Sequence, residues 1–369
     1  MAKTYELEIQ AQPSVYEPKE RTMMMYFAEP EDGVNADTGI LLLLAGYGGN
    51  AKSRVFEKMR TAFADAYNLL TVQCDYFGYE YMQNNIPTEI SSEELQKKLS
   101  PAELELLQKD YEKYQHILRG KVFQQKVDLK ETKSSFNDMS WMQAMDNLRA
   151  MKVLLDIVRD NQYQINENRI YAYGFSHGAY LAYFCNALSP GLFTAIVENS
   201  SYLSPYYLDE TRIVTSSEEG ILVNQLYTYQ AAEFLEDVEL LYLPKLYAQF
   251  ENQADIICYA GETDYMTALE DKKSFLNQVE HSKVETITES RIDMVRFKST
   301  DHGLGADFIE LFHLAYKTHL EPKEIQRKKK RKKENHEITY QNISYDSTKF
   351  HYEVRWEEGM PVLYREKKD

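Results

Sequence analysis

The sequence predicts an α/β fold: a mostly parallel, doubly wound sheet, two helical insertions and a small C-terminal β appendage. Three observations carry this. Short, wholly apolar runs alternate with stretches of helical periodicity. Several of those runs end in glycine- or acid-bearing turns, where ligands of open parallel sheets bind. The run from Arg169 to Ser176 passes directly through a Gly-Phe-Ser-His-Gly turn into a helical pattern.

Taken in order, Tyr5 to Ile9 and Met23 to Ala28 read as two short strands, punctuated by Pro13, Pro18 and Pro30. Gly39 to Ala45 is an apolar run suited to a strand buried on both faces, and it ends in Gly46-Tyr47-Gly48-Gly49-Asn50. A helix follows from Ser53 to about Ala66, with Val55, Met59, Phe63 and Ala66 on one stripe. The next strand, Leu69 to Cys74, ends in Asp75-Tyr76-Phe77-Gly78.

Residues 84–135 interrupt this rhythm. Ser100-Pro101-Ala102-Glu103 is a capping box with proline at the first helical position. The segment reads as a helical insertion over the sheet ends rather than a sheet element. A long helix then runs from Asp138 to about Arg159. Trp141, Met145, Leu148, Leu155 and Val158 form its inner face, and Asp146, Arg149, Asp156 and Arg159 its outer face.

After the Arg169–Ser176 run, the strand Thr194 to Val197 leads to Glu198. Residues 202–254 form a second, tyrosine-rich insertion, with helices expected near Ile221 to Glu236 and Pro244 to Glu251. Its tyrosines are read as core and lid packing in preference to a stacking surface for sugars or aromatic acyl groups. The strand Asp255 to Ala260 ends in Gly261-Glu262-Thr263-Asp264. A helix is expected from Met266 to about His281, and a last core strand from Asp293 to Lys298, before Ser299-Thr300-Asp301-His302-Gly303. The final core helix runs to about His319.

The domain reading places residues 1–325 in one α/β unit and 326–336 in a basic linker. Residues 337–369 alternate apolar and polar side chains and read as the β appendage. The linker takes in seven consecutive basic residues, Arg327 to Lys333.

Net charge is −16, which repels nucleic acid and anionic membrane. Apolar stretches such as Ile40 to Ala45 are too short to span a bilayer. The opening residues lack the apolar core of a secretory signal. Cys74, Cys185 and Cys258 show no metal or disulfide spacing and read as reduced core residues. Together these point to a cytoplasmic protein.

The chemistry follows from the strand ends. Gly174-Phe175-Ser176-His177-Gly178 is a nucleophile elbow in its proper context of strand, sharp turn and helix. It presents the Ser176 hydroxyl as a nucleophile. A neutral hydroxyl needs a base, and His302 lies past the last core strand. Asp264 would hold the imidazole and stabilise its charged form. The order Ser, Asp, His is that expected of this nucleophile turn. Acyl transfer also needs two amide donors for the developing oxyanion. His177, just after the nucleophile, would supply one and Tyr47, in the glycine loop, the other. Alternatives remain: His177 as base, and Glu198 or Asp301 as the acid. The chemistry requires no metal and no organic cofactor.

With these residues placed, the chain resembles the α/β-hydrolase superfamily over roughly residues 20 to 320. Gly46-Tyr47-Gly48-Gly49 looks like its oxyanion loop and Gly174 to Gly178 like its elbow. Gly261 to Asp264 is similar to its acid turn, and His302-Gly303 to its histidine turn. Many esterases begin the oxyanion loop with histidine; here Ala45 stands there. Phe136-Asn137-Asp138 and the run from Ser299 to Asp307 are similar to a bacterial hydrolase family of unassigned function, often encoded near flagellin sugar-modification genes. That likeness implies an acylated carbohydrate.

The expected function is therefore a serine hydrolase acting on an ester or related acyl bond of a small molecule. The same residues would also serve an acyltransferase, and the fold without chemistry would serve as a binding module. Peptidase activity is open as well.

Overall fold

The computed structural model describes residues 1–330, 338 and 340–368. Strands β1 (Lys3–Gln10) and β2 (Thr22–Glu29) pair antiparallel. They are followed by β3 (Gly39–Leu44), β4 (Leu69–Cys74), β5 (Val122–Val127), β6 (Ile170–Phe175) and β7 (Ala195–Asn199). Next come β8 (Arg212–Glu218), β9 (Ile221–Tyr227), β10 (Asp255–Gly261) and β11 (Ser282–Ile287). Eight of these form the central sheet in the order β1-β2-β4-β3-β6-β7-β10-β11. β2 is antiparallel to both neighbours, whereas every pairing from β4 to β11 is parallel.

The core explains this arrangement. β3 and β4 are buried throughout, as central parallel strands covered on both faces must be. Along β3, Ile40, Leu42 and Leu44 face one core cluster while Leu41 and Leu43 face the other. The helix Arg54–Tyr67 and the helix Phe308–Ala315 cover the second face. The helices Trp141–Asp160 and His177–Leu188 cover the first. In Arg54–Tyr67 the buried stripe is Phe56, Met59, Phe63 and Tyr67, and Val55 is exposed. The stripe is thus turned by about one residue from the expected one.

The parallel strands bring Leu44, Phe175, Asn199 and Gly261 to one rim of the sheet. This rim is where the candidate site forms.

Three expectations need correction. First, no strand spans 293–298; the last sheet strand is β11, and Met294 and Val295 are 66% and 61% exposed. β11 is a half-buried edge strand whose pattern, Ser-Lys-Val-Glu-Thr-Ile, is less apolar than a core strand. Second, the insertions are not purely helical. Residues from Ile221 form β9, which pairs antiparallel with β8 and parallel with β5 of the first insertion. The two insertions thus share a three-stranded sheet. Glu219 and Gly220, both at positive φ, close the β8–β9 hairpin. Third, Asp146 and Arg149 are buried rather than on an outer face. The segment 12–21 and the C-terminal strands cover that side. Asp146 accepts from Arg21 at 2.9 Å, and Arg149 donates to the carbonyls of Gln10 and Pro361.

The C-terminal strands β12 (Ile343–Asp346), β13 (Phe350–Glu357) and β14 (Met360–Lys367) form an antiparallel sheet. Tyr345, Phe350, Tyr352, Val354 and Leu363 join the main core cluster, so this sheet is packed against the body. Residues 326–330 of the expected linker continue a helix, Glu321–Lys330, and 331–336 lie outside the described residues. No helix among the described residues is long and apolar enough to cross a membrane.

Candidate active site

The elbow is built by absent side chains. A Cβ on Gly174 would lie 2.3 Å from the Gly178 carbonyl oxygen, and one on Gly178 would lie 2.1 Å from that of Leu44. Only glycine lets β6, the turn and the next helix approach so closely. Ser176 sits between them at φ 51°, ψ −122°, a backbone conformation that non-glycine residues hold only under external constraint. The constraint includes a hydrogen bond from its amide to the Asn199 carbonyl at 2.8 Å. Ser176 caps the helix His177–Leu188, whose positive end favours negative charge at this point.

His302 Nε2 lies 2.8 Å from Ser176 Oγ. His302 Nδ1 lies 3.1 Å from each carboxylate oxygen of Asp264. The imidazole is 11% exposed and the Asp264 carboxylate 2%. Burial pushes the Asp264 carboxyl up. The His302 hydrogen bond and charge, the Met266 amide and the Lys272 ammonium outweigh burial and hold it below the ordinary carboxylate range. A base with its far nitrogen on an ionised carboxylate and its near nitrogen on a hydroxyl can take that hydroxyl's proton during attack.

The turn carrying His302 is clamped to the end of β10. Gly261 approaches Thr300 so closely that a Cβ would lie 1.9 Å from its carbonyl oxygen. The Thr263 amide donates to that same oxygen. Asn199, at the end of β7, donates to the Gly303 carbonyl at 3.2 Å.

The alternative assignments are placed elsewhere. Glu198 is buried in contacts with Tyr183, the Ser201 amide and Lys272. Asp301 accepts from the Thr263 hydroxyl. His177 is buried behind the elbow, its Nε2 on Gln143 Oε1 at 2.6 Å and its Nδ1 on the Tyr202 hydroxyl. Burial pushes its pKa down to about 3, so the ring is neutral.

The glycine loop beyond β3 is held from several sides. The Gly48 amide donates to the Met82 carbonyl, Tyr76 donates to the Ala45 carbonyl, and Gln83 donates to the Gly49 carbonyl. Gly48 sits at φ 77° with Asn84 against it. The Tyr47 ring packs on those of His177, Tyr207 and Tyr229. Among the described residues, no acceptor engages the backbone amides of Tyr47 and His177.

A row of tyrosines borders the line from Asp264 through His302 to Ser176. Tyr265, 68% exposed, sets its ring 6.1 Å from that of His302. Tyr206 meets Tyr265 edge-on, Tyr207 meets Tyr206, and Tyr47 meets Tyr207. Tyr202, Tyr227, Tyr229 and Tyr247 of the second insertion are buried, so most of its tyrosines pack the interior.

Among the described residues, no three His, Cys, Asp or Glu side chains gather as a metal site would require.

A model of the prolyl oligopeptidase family matches residues 119–314. A model described as protein of unknown function (DUF2920) matches residues 5–209. The chain belongs to both families. The first places it among serine hydrolases of the α/β-hydrolase superfamily. No curated protein matches it in sequence.

Solved structures resemble this α/β-hydrolase at low identity. The peroxisomal α/β-hydrolase Lpx1 of Saccharomyces cerevisiae is 11% identical with a TM-score of 0.50, over 88% of this chain and 90% of that one. Est1E from Butyrivibrio proteoclasticus is 10% identical with a TM-score of 0.46, over 86% and 99%. The acylaminoacyl peptidase of Pyrococcus horikoshii is 14% identical with a TM-score of 0.48, over 90% of this chain and 43% of that one. At these identities the likeness is one of fold.

Asn199 and Gln143 are buried polar side chains beside the site in stretches that carry no motif, and Asn137 lies in the Phe136-Asn137-Asp138 run but is assigned no role there. Asn199 had one available signal, its place at a strand end beside Glu198.

Proposed function

We propose that this protein is a serine hydrolase that cleaves an ester or related acyl bond of a small molecule, with Ser176, His302 and Asp264 as its triad. The reading rests chiefly on the continuous hydrogen-bonded line from Asp264 through His302 to Ser176. Ser176 Oγ attacks the carbonyl carbon while His302 Nε2 takes its proton. Asp264 holds the resulting imidazolium. The amides of Tyr47 and His177 receive the oxyanion. His302 then protonates the departing alkoxide, leaving an acyl-Ser176 ester. A water, deprotonated by His302, attacks that ester, releases the acid and returns the proton to Ser176.

The acyl donor is an acylated carbohydrate in this reading. The exposed Tyr265 ring beside His302, and Tyr206 and Tyr207 beyond it, supply flat apolar faces suited to a sugar ring. Residues 1–325 would form the catalytic unit and 337–369 an appendage docked on it. A cytoplasmic setting is supported by three buried, unpaired cysteines.

A second reading, cleavage of a peptide bond, is favoured by the prolyl oligopeptidase family match. A panel of esters varied in acyl length, acetylated sugars and peptide amides separates the two. The first reading expects turnover of acetylated sugars, abolished in Ser176→Ala; turnover confined to peptide amides contradicts it. Adding sugar acceptors to the same assay separates hydrolysis from acyl transfer.

A further inference from the structure

Behind the elbow lies a chain of buried hydrogen bonds that the proposed chemistry does not use. The Tyr202 hydroxyl donates to His177 Nδ1. His177 Nε2 donates to Gln143 Oε1 at 2.6 Å. Gln143 Nε2 donates to Asn137 Oδ1 at 2.8 Å. Asn137 Nδ2 donates to the Tyr47 hydroxyl at 3.0 Å. As the amides are oriented, every donor points from Tyr202 towards Tyr47, so Gln143 and Asn137 each accept from one neighbour and donate to the next. Asn137, Gln143, His177 and Tyr202 are all buried.

The chain ties together side chains from two elements that are far apart in sequence but follow neighbouring strands. Tyr47 belongs to the loop after β3, and His177 opens the helix after β6. Their backbone amides are the two oxyanion donors of the proposed mechanism. Gln143 stands in the first turn of the helix Trp141–Asp160, and Asn137 precedes it. The Asn137 amide is itself fixed by Glu131 at 2.8 Å, and the other Glu131 oxygen takes the Gln230 amide of the second insertion. A loop with glycines at 46, 48 and 49 has little stiffness of its own. Oxyanion donors must nevertheless stand within about 0.2 Å of a 2.9 Å spacing from the oxyanion.

We propose that Asn137 and Gln143 are positioning residues that set the spacing of the two oxyanion donors by holding the side chains of Tyr47 and His177 in one rigid line. The inference rests on the acyl chemistry proposed above. Loss of the line misplaces the donors for the transition state, where charge sits on the oxygen, more than for the neutral bound ester.

The test is Gln143→Met, which roughly conserves volume and deletes its hydrogen bonds to His177 and Asn137, along with a long one to Met82 sulfur. Its kcat and KM on the best ester of the panel are compared with wild type, together with inhibition by an alkylboronic acid that forms a tetrahedral adduct. We expect kcat to fall about ten- to a hundredfold, KM to stay within about threefold, and boronic acid affinity to weaken in step with kcat. Should Gln143→Met fail to fold, Tyr47→Phe removes only the terminal hydroxyl and is expected to lower kcat about three- to tenfold with the same KM pattern. A folded variant whose kcat and boronic acid affinity match wild type overturns the inference while the triad stands. A wild-type protein that cleaves neither the esters nor the peptide amides of the panel overturns the acyl chemistry, and this inference with it.

Discussion

Asp264 offers both carboxylate oxygens to Nδ1 of His302 at the same distance, 3.1 Å. Replacing it by asparagine preserves the shape but turns an amide towards the imidazole and removes the charge that stabilises imidazolium. Asp264→Asn is therefore expected to lower kcat by about 10⁴ with little change in fold, checked by steady-state kinetics and circular dichroism.

The same carboxyl supplies a pH signature. Its folded pKa lies below the ordinary aspartate value. Its stabilising contribution is therefore complete above about pH 4 and disappears as pH falls through the lower folded value. Urea melts should show a constant stability gap between wild type and Asp264→Asn above that pH, closing only below it. A gap that closes between pH 5 and 7 would contradict the assignment.

Asp138 should behave in the opposite sense. It accepts from Tyr16 and the Met142 amide at the start of the helix that carries Gln143. Burial, only partly offset by those hydrogen bonds, raises its pKa to about 6. The folded protein thus binds a proton more readily than the unfolded chain between about pH 4 and 6, and stability declines as pH rises through that window. Asp138→Asn keeps an oxygen for both strong hydrogen bonds and should flatten this decline, as read by thermal melts across pH 4 to 7.

Gly178 leaves no room for a methyl group against Leu44. Gly178→Ala must displace β3 or the elbow, at a cost of about 3 kcal/mol or more. The melting temperature should fall by several degrees and esterase activity should be lost. A variant with wild-type stability and activity would show that the elbow is looser than its geometry implies.

The C-terminal sheet is held by a stack of Tyr352 on Trp141, ring centroids 4.1 Å apart and 3° from parallel. Tyr352→Ala should cost about 3–5 kcal/mol and shift tryptophan emission as Trp141 gains solvent. Unaltered emission and stability would mean that the sheet contributes nothing to the core.

Much of this was legible in the sequence because chemistry constrains spacing. The glycines at 174 and 178 are demanded by contacts under 2.5 Å, and such a demand leaves a fixed pattern. The buried strands were equally plain, since both faces of β3 and β4 must be apolar. The misreadings fall where those constraints relax. β11 lies at the sheet edge and is polar in pattern, whereas the more apolar 293–298 is a loop that buries Phe297 alone. The residues of β9 fit a helical stripe as well as a strand, and the turn at Glu219-Gly220 decides between them. The burial of Asp146 depends on Gln12, Arg21 and Phe77, and that of Arg149 in part on a sheet more than 200 residues away, which local periodicity does not register. The line through Asn137 and Gln143 is illegible for a similar reason: a polar residue on a buried helix face, or just before it, looks like any other polar residue until its partners are placed.

The central claim is that Ser176 is a nucleophile activated by His302. Labelling by a fluorophosphonate probe, located by peptide mass spectrometry, tests it most directly. The account predicts a single adduct on Ser176, absent in Ser176→Ala and slowed at least a hundredfold in a folded His302→Ala protein. Folded wild-type protein that takes no label, or equal labelling of Ser176→Ala, would contradict it.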